Sequence, residues 1–268
     1  FLLDLRRRGF DVAIDLQGLF RSGLMTIATG APLRIGRADA REGASLFYTH
    51  RIASKSSHAV DRLLDLAAAL GADVSTPRFE LAIQEADQLW ASEALEGLPR
   101  PILVLNPGAR WLTKRWPPAH FAEIARRAVG RFGAGIVIVG AEEDRPLAAV
   151  IREELEPLKL PIRDLTGQTS LMRLAAVTAA SDLVLSNDTG PLHLAVASGA
   201  RVIAIFTCTD PAKTGPYGPG VQVVQTGVWC AASCVRRCDR MECMSELSPD
   251  RVWPVVARTL AGERREVA

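Results

Sequence analysis

The stretch Leu183-Val-Leu-Ser-Asn-Asp-Thr-Gly-Pro-Leu-His193 runs from a short apolar segment directly into the start of a helix. Leu183 to Leu185 has no polar face, which is typical of a strand buried on both sides. Pro191 suits the first helical turn, where its missing N–H costs no hydrogen bond, and Gly190 lets the backbone approach a ligand closely. The stretch therefore predicts a strand and a helix of a parallel α/β sheet, with an anion-binding helix start between them.

The same alternation of short apolar strands and amphipathic helices extends outward from this stretch on both sides. Strands that are buried on both faces and joined by helices imply a doubly wound parallel sheet. Such sheets bind ligands in the loops at the carboxyl ends of their strands. The predicted strands are 102–105, 136–139, 162–165, 183–185, 202–206 and 221–224, and the predicted helices are 117–131, 142–155, 170–180 and 191–197.

The N-terminal part has a less regular pattern. An amphipathic helix opens the chain and a strand follows at 11–16, whereas the polar segment 34–55 shows little periodicity and is predicted to form loops. Further predicted elements are a helix at 58–70, a short strand at 81–83 and a helix at 85–95. Gly97-Leu-Pro-Arg-Pro101 then interrupts the pattern, because its prolines and glycine continue neither a helix nor a central strand. We therefore expect two domains, 1–98 and 99–268.

Composition excludes several classes of protein. With 48% hydrophobic and 23% charged residues, the 268-residue chain is suited to bury a sizeable core. Apolar runs such as Val202 to Phe206 are far shorter than the roughly 18 residues of a membrane-spanning helix, and the first residues do not show the pattern expected of a signal peptide. The formal net charge of +2 gives no broad electrostatic case for a nucleic-acid partner. We expect no transmembrane segment, no nucleic acid, and an anion site that is local.

A second strand-to-helix loop places positive charge at a helix start. Asn106-Pro-Gly-Ala109 follows a predicted strand, and Lys114-Arg-Trp-Pro117 leads into the next helix. Like charges oppose the positive end of a helix, so Lys114 and Arg115 are electrostatically wrong as helix caps. That mismatch favours an anionic ligand. Lys114 is the more informative cation, because the chain has only four lysines among its 32 basic residues.

Each of these loops also has a purely structural interpretation. Asp188 or Thr189 is expected to cap the helix that follows, and His193 in its first turn either reaches the ligand or simply packs. The acidic loop Gly140-Ala-Glu-Glu-Asp-Arg145 offers carboxylates to sugar hydroxyls, but acidic residues are also routine in a first helical turn. The residues alone leave both alternatives open.

Signatures of several enzyme classes are missing from the sequence. Gly130, Gly133 and Gly135 precede their strand, which is the wrong order for a dinucleotide-binding turn. A Walker-type phosphate loop, a Gly-x-Ser-x-Gly elbow and an Asp-x-Asp pair at a strand end are absent as well. We therefore expect chemistry without a metal ion or a cofactor.

Four of the five cysteines cluster late in the chain. Cys230, Cys234, Cys238 and Cys243 lie between the last predicted strand and the final helix, whereas Cys208 stands apart. Their spacing differs from the usual paired Cys-x2-Cys pattern of thiolate metal sites. Three interpretations stay open: a structural metal site, reduced thiols, and a disulfide.

Taken together, these motifs resemble glycosyltransferase family 9, the bacterial ADP-heptose:lipopolysaccharide heptosyltransferases. The resemblance covers nearly all of the chain in one consistent order. The motifs that carry it are Asp15-Leu-Gln-Gly18, Arg41-Glu-Gly-Ala-Ser-Leu-Phe-Tyr48, His58-Ala-Val-Asp-Arg62, Asn106-Pro-Gly-Ala109, Lys114-Arg-Trp-Pro117, 186–193 and Thr209-Asp-Pro211. The resemblance implies a GT-B fold, in which two Rossmann-like doubly wound domains face a cleft. It further implies that the first domain, which binds the acceptor, is incomplete here, and that the second binds the nucleotide sugar.

The resemblance also implies roles for individual residues. Lys114 and Asp188 match catalytic positions, and Lys114 would bind the donor diphosphate and stabilise the leaving group. Asp144 matches the position that binds the ribose. The remaining positions expected to contact the donor are Gly108, Ala109, Thr169, Thr189, Gly190 and His193. Arg41 and His58 match positions that would contact the acceptor.

The implied reaction is an inverting, metal-independent transfer of heptose from ADP-heptose to the lipopolysaccharide inner core. The acceptor would be lipid-anchored, and the enzyme cytoplasmic and peripheral to the inner membrane. In related enzymes the general base is an aspartate of the first βα unit, which we expect upstream of residue 1; Asp15 is not expected to replace it. The alternatives are a family 9 transferase that uses another nucleotide sugar, and a non-catalytic nucleotide-sugar-binding protein.

Overall fold

The computed structural model describes residues 1–262 and divides the chain into two compact units, Phe1–Arg78 and Phe79–Ala268. Residues 263–268, the end of the predicted second domain, lie outside the described residues. Both units are α/β, and all their paired strands are parallel. The predicted α/β class is therefore confirmed. In the described part of the chain, no helix is long and apolar enough to cross a membrane.

The first unit contains a three-stranded sheet in the order β1-β2-β3. Its elements are α1 Leu2–Arg7, β1 Val12–Asp15, α2 Phe20–Ala28, β2 Leu33–Arg37, a 3-10 helix at Ala44–Phe47, β3 His50–Ile52 and α3 Ala59–Ala68. The prediction of loops throughout 34–55 was wrong, because that segment contains most of β2 and all of β3. These strands are rich in arginine and partly exposed, so they lack the apolar run that marks a buried strand.

β1 is an edge strand with apolar side chains exposed to solvent. It pairs with β2 on one side, and Val12 and Ile14 are 43% and 45% exposed. The neighbouring helix α2 exposes Phe20 and Leu24. An edge of this kind offers both unpaired backbone groups and apolar surface.

The second unit contains a six-stranded sheet in the order β6-β5-β4-β7-β8-β9. Its helices and strands are α4 Glu85–Leu95, β4 Ile102–Asn106, α5 Pro118–Phe132, β5 Gly135–Ile138, α6 Arg145–Leu155, β6 Ile162–Asp164, α7 Leu171–Ala179, β7 Leu183–Asn187, α8 Gly190–Ala197, β8 Val202–Phe206, α9 Pro211–Thr214, β9 Val221–Gln225, α10 Glu242–Glu246 and α11 Pro249–Leu260. Short 3-10 helices occupy Leu112–Lys114, Glu142–Asp144 and Glu156–Leu158.

The core of the second unit lies on both faces of this sheet. Leu103 and Leu105 of β4 point to a cluster that includes α5, α6 and α11. Ile102 and Val104 point to the opposite cluster, which includes α4, α7 and α8. This alternation along a strand with no polar face explains why the central strands read as continuous apolar runs.

Helix α4 belongs to the second unit. Ala91 and Leu95 are buried in the same cluster as Leu174 of α7, so the predicted boundary at residue 98 falls inside this unit. The predicted strand 81–83 is not formed. The Ile83 N–H bonds to the carbonyl oxygen of Leu81, which turns the segment back on itself, and Ile83 packs against the core as a single side chain.

The strand order places the topological switch point between β4 and β7. The sheet extends to β5 and β6 on one side of β4, and to β8 and β9 on the far side of β7. The loops that follow β4 and β7 therefore diverge and leave a crevice at the carboxyl ends of these strands, where ligands of doubly wound sheets bind. The two loops singled out from the sequence are these two loops.

Candidate functional site

Three buried amide and hydroxyl groups join the loops on either side of the switch point. Asn106 Nδ2 donates to Ser186 Oγ at 2.8 Å, and Asn187 Nδ2 donates to the Pro107 carbonyl at 2.8 Å. Asn187 Oδ1 accepts a hydrogen bond from the Trp116 N–H at 3.2 Å. Because each of these groups is buried and partnered, the two loops are held in one arrangement.

Lys114 and Asp188 form an ion pair across the switch point. Lys114 Nζ donates to Asp188 Oδ2 at 2.5 Å, although the two residues are 74 positions apart in the chain. Asp188 is 6% exposed and the Lys114 side chain is 17% exposed. The structure thus brings the two predicted catalytic residues together. Lys114 is held beside the helix starts by a carboxylate, which resolves the electrostatic mismatch seen in the sequence.

The loop after β8 supports this ion pair. Thr209 Oγ1 donates to the same Asp188 oxygen at 2.6 Å. Thr207 Oγ1 donates to the Thr113 carbonyl at 2.5 Å, and Cys208 Sγ donates to Thr113 Oγ1 at 3.4 Å. Sequence reasoning quoted Thr209 within a motif but gave it no role. Its position directly after a strand at the same sheet edge was the available signal.

The start of helix α8 is open toward solvent. Thr189 is the N-cap residue, but its hydroxyl makes no capping hydrogen bond, so the predicted side-chain cap is not formed. A Cβ atom added to Gly190 would meet nothing within 4 Å, and Gly190 does not have positive φ. The protein's own packing therefore does not require glycine there, and Gly190 is exposed at the start of the helix, where anions bind in other proteins. His193 is exposed in the first turn of the same helix.

Gly108 and Asp144 lie against each other. A Cβ atom at Gly108 would collide with the Asp144 carboxylate, whose Oδ2 accepts a hydrogen bond from the Ala141 N–H at 3.0 Å. The Ala109 carbonyl accepts a hydrogen bond from Arg115 Nε at 2.6 Å. Arg115 thus stabilises its own loop, whereas the Asp144 carboxylate packs directly against the Gly108 backbone.

Thr169 lies in the loop between β6 and α7. It is half-buried and directly precedes Ser170, whose hydroxyl caps α7. The hydrogen bonds described for residues 1–262 do not join Thr169 to Lys114 or Asp188. Its contact with the donor stays a prediction.

Trp111 lies under two cations. Lys114 Nζ is 4.8 Å from the centre of its ring, and the Arg236 guanidinium is 4.6 Å from the same centre. Cation–π attraction of this kind stabilises a cation at an aromatic face. The cysteine-rich segment therefore contributes Arg236 to the surroundings of Lys114, which sequence reasoning missed.

The cysteines meet in a different set from the one proposed. Cys208, Cys230, Cys238 and Cys243 line an apolar cavity of about 160 Å³ that also borders Thr113. Cys208 is distant in the sequence but reaches this cavity from the loop after β8, whereas Cys234 is exposed. All five cysteines are free thiols, and burial raises the pKa of Cys243. Among residues 1–262, no group of three or more His, Cys, Asp or Glu side chains is arranged to hold a metal ion.

A separate cavity of about 290 Å³ lies in the first unit. It is lined by Gln17, Arg37, Asp39, Arg41 and Arg62. Asp39 forms ion pairs with both Arg37 and Arg62, which leaves an excess of positive charge in the cavity wall.

The two residues predicted to contact the acceptor have different surroundings. Arg41 lines the cavity of the first unit. His58 is the N-cap of α3, and its Nδ1 accepts a hydrogen bond from the Val60 N–H at 3.2 Å. A contact between His58 and the acceptor stays a prediction.

Asp15 is committed to structural hydrogen bonds. It accepts from the N–H groups of Gln17 and Gly18 at 2.9 and 3.0 Å and from the Tyr48 hydroxyl at 2.6 Å. Burial acts to raise the pKa of Asp15, but these donors outweigh it and the pKa lies below its ordinary value. A carboxylate with a lowered pKa and three partners is a poor general base.

A family model described as glycosyltransferase family 9 (heptosyltransferase) matches residues 2–244. The chain belongs to glycosyltransferase family 9. One family 9 relative is the lipopolysaccharide core heptosyltransferase OpsX of Haemophilus influenzae, which is 30% identical over 217 residues. The alignment covers 80% of this chain and 61% of OpsX, so the chain spans about three fifths of that relative.

Two solved structures of Escherichia coli heptosyltransferases resemble this chain in fold. ADP-heptose lps heptosyltransferase II matches with a TM-score of 0.75 and 24% identity, over 98% of this chain and 80% of that chain. Heptosyltransferase WaaC with ADP matches with a TM-score of 0.72 and 26% identity, over 97% of this chain and 76% of that chain. These likenesses confirm the predicted GT-B fold class.

Proposed function

We propose that this family 9 chain carries the donor site of an enzyme that transfers heptose from ADP-heptose to the inner core of lipopolysaccharide. The observation that supports this most directly is the Lys114–Asp188 pair beside the open start of α8. The names of its relatives agree, since OpsX is a lipopolysaccharide core heptosyltransferase and WaaC has been solved with ADP.

The proposed donor site uses the loops around the switch point. Lys114 and the first N–H groups of α8 bind the diphosphate, because both present positive charge to the same open space. Asp144 accepts hydrogen bonds from the ribose hydroxyls, and Gly108, whose missing side chain leaves room for the Asp144 carboxylate, lines the site beside it. Ala109, Thr169, Thr189 and His193 complete the lining of the site.

The proposed reaction is a single displacement that inverts the anomeric carbon. The acceptor oxygen bonds to that carbon as the bond to the ADP phosphate breaks, and a general base takes the acceptor proton. Negative charge develops on the leaving diphosphate, where Lys114 and the α8 N–H groups neutralise it. We propose that Lys114 and the α8 N–H groups neutralise the leaving diphosphate without the help of a metal ion. Asp15 is not proposed as the base, because its oxygens already accept three hydrogen bonds.

The proposed acceptor is anionic and lipid-anchored, and it meets the protein at the cytoplasmic surface of the inner membrane. Support comes from the cavity of the first unit, which is lined by Arg37, Arg41 and Arg62 but by only one carboxylate, that of Asp39. Guanidinium groups suit carboxylate and phosphate, which they bind through paired hydrogen bonds.

Calorimetric titration with ADP, UDP, GDP and dTDP tests the proposed donor. We expect selective binding of ADP, because the proposed donor is ADP-heptose. This chain is suited to the titration, because the proposed donor site lies within the second unit. A preference for another nucleotide would replace heptose by a different sugar. If a demonstrably folded protein binds none of the four, the proposed function is wrong and only the fold remains.

A further inference from the structure

One oxygen atom of Asp188 accepts two hydrogen bonds. Lys114 Nζ donates to Oδ2 at 2.5 Å and Thr209 Oγ1 donates to the same atom at 2.6 Å. The three side chains come from three different loops, which follow β4, β7 and β8. Asp188 and Thr209 are 6% and 7% exposed, so solvent has little access to this oxygen.

The shared oxygen matters when an anion binds to Lys114. An ammonium group that turns toward a diphosphate weakens its bond to Asp188, and a buried carboxylate that loses a donor is destabilised. Thr209 lies on a different loop from Lys114, so its bond to Asp188 need not break when Lys114 turns away. It therefore lowers the cost of releasing Lys114 to the ligand.

The loop after β8 also fixes the residue next to Lys114. The Thr207 hydroxyl donates to the Thr113 carbonyl, and the Cys208 thiol donates to the Thr113 hydroxyl. Three successive residues of one loop thus hold the backbone beside the lysine and the carboxylate opposite it. An arrangement this constrained limits where the Lys114 ammonium can move.

We propose that Thr209 is a positioning residue of the donor site, which holds the Asp188 carboxylate in place while Lys114 binds the donor diphosphate. This inference rests on the proposed function, because it requires a diphosphate at Lys114. Thr209 itself is not proposed to touch the donor.

The test compares ADP affinities of three variants by calorimetry. Thr209→Val keeps the shape of the side chain but removes the donor, and we expect ADP binding to weaken about fivefold, the effect of one hydrogen bond. Thr209→Ser keeps the hydroxyl and should bind like the wild type. Thr226→Val is the matched control, because Thr226 is also buried after a strand, and its hydroxyl donates to Glu246 at 2.7 Å rather than to Asp188.

A double-mutant cycle separates positioning from general damage. In an Asp188→Asn background the acceptor is uncharged, so the effect of Thr209→Val should be smaller than in the wild type. Equal effects in both backgrounds would show that Thr209 does not act through Asp188. If Thr209→Val does not fold, Thr209→Ala against Thr209→Ser makes the same comparison.

The outcomes distinguish this inference from the proposed function. If the folded wild type binds neither ADP nor inorganic pyrophosphate, both are wrong. If the wild type binds ADP and Thr209→Val binds it equally well, only the role of Thr209 is wrong.

Discussion

The Asp188 carboxylate holds Lys114 in place, and an anionic ligand could replace Asp188 as the partner of its ammonium group. A buried ion pair contributes little net stability, since desolvation offsets most of its attraction, but loss of one partner leaves the other charge unpaired. Asp188 therefore depends on Lys114 in the free protein, and Lys114 is already placed and partly desolvated when a ligand arrives.

The first prediction concerns Lys114→Ala. ADP affinity should fall by about 1.5 to 3 kcal/mol, the contribution of a charge-assisted hydrogen bond. Calorimetry measures the affinity, and Lys213→Ala is the control because the Lys213 side chain is 68% exposed. Unchanged affinity in Lys114→Ala would remove Lys114 from the donor site.

The second prediction concerns Asp188→Ala. We expect weaker ADP binding with an intact fold, because the N-cap of α8 is Thr189 and the helix does not depend on Asp188 for capping. Circular dichroism and calorimetry check the two parts. If the variant only unfolds, Asp188 is a structural residue.

Sequence motifs predicted Lys114 and Asp188 individually, but not the contacts around them. Thr209 reaches Asp188 only because β8 lies next to β7, and strand order is not encoded in any local pattern. The same holds for Cys208, which is distant in the sequence from the other three cysteines that line the same cavity.

At the scale of elements, burial decided which strands could be predicted. Strands β4, β5, β7 and β8 of the second unit are buried along their whole length, and their predicted bounds match to within about two residues. β2 and β3 were missed because their partly buried and exposed positions carry arginine and histidine. Partial burial removes the apolar signal without preventing backbone pairing.

The third prediction concerns the Asp15–Tyr48 hydrogen bond, which joins the end of β1 to the segment before β3. The pKa of Asp15 is lower in the folded than in the unfolded chain, so this contribution is present above pH 3.8 and is lost as pH falls through the folded-state pKa. Tyr48→Phe should lower the free energy of unfolding by about 1.5 to 3 kcal/mol at pH 7. Urea unfolding between pH 7 and pH 3 should show the difference from wild type shrinking in acid; a constant difference would contradict this cause.

At the scale of the whole molecule, the second unit contains everything that the proposed donor site requires. Both apolar clusters lie within it, as do Lys114, Asp188 and Thr209. Its first helix, α4, closes one face of the sheet, so a fragment that starts after α4 would expose apolar side chains of α7.

The fourth prediction compares two fragments. Residues 79–268 should unfold cooperatively and bind ADP like the whole chain, because core and donor site are both complete. Residues 99–268, the domain predicted from the sequence, should unfold at lower urea concentration, since Leu174 and Val177 lose their cover from α4. Equal stability of the two fragments would place the boundary at residue 98 after all.

The largely buried Lys114–Asp188 ion pair has a practical consequence for chemical footprinting. The chain contains four lysines, and Lys55, Lys159 and Lys213 are exposed whereas Lys114 is shielded by its partner. Acylation of ε-amino groups followed by mass spectrometry should therefore show slow modification of Lys114 and fast modification of the other three lysines, which serve as internal standards. Occupancy of the site could be followed in unlabelled, native-sequence protein as a change in the reactivity of one amine.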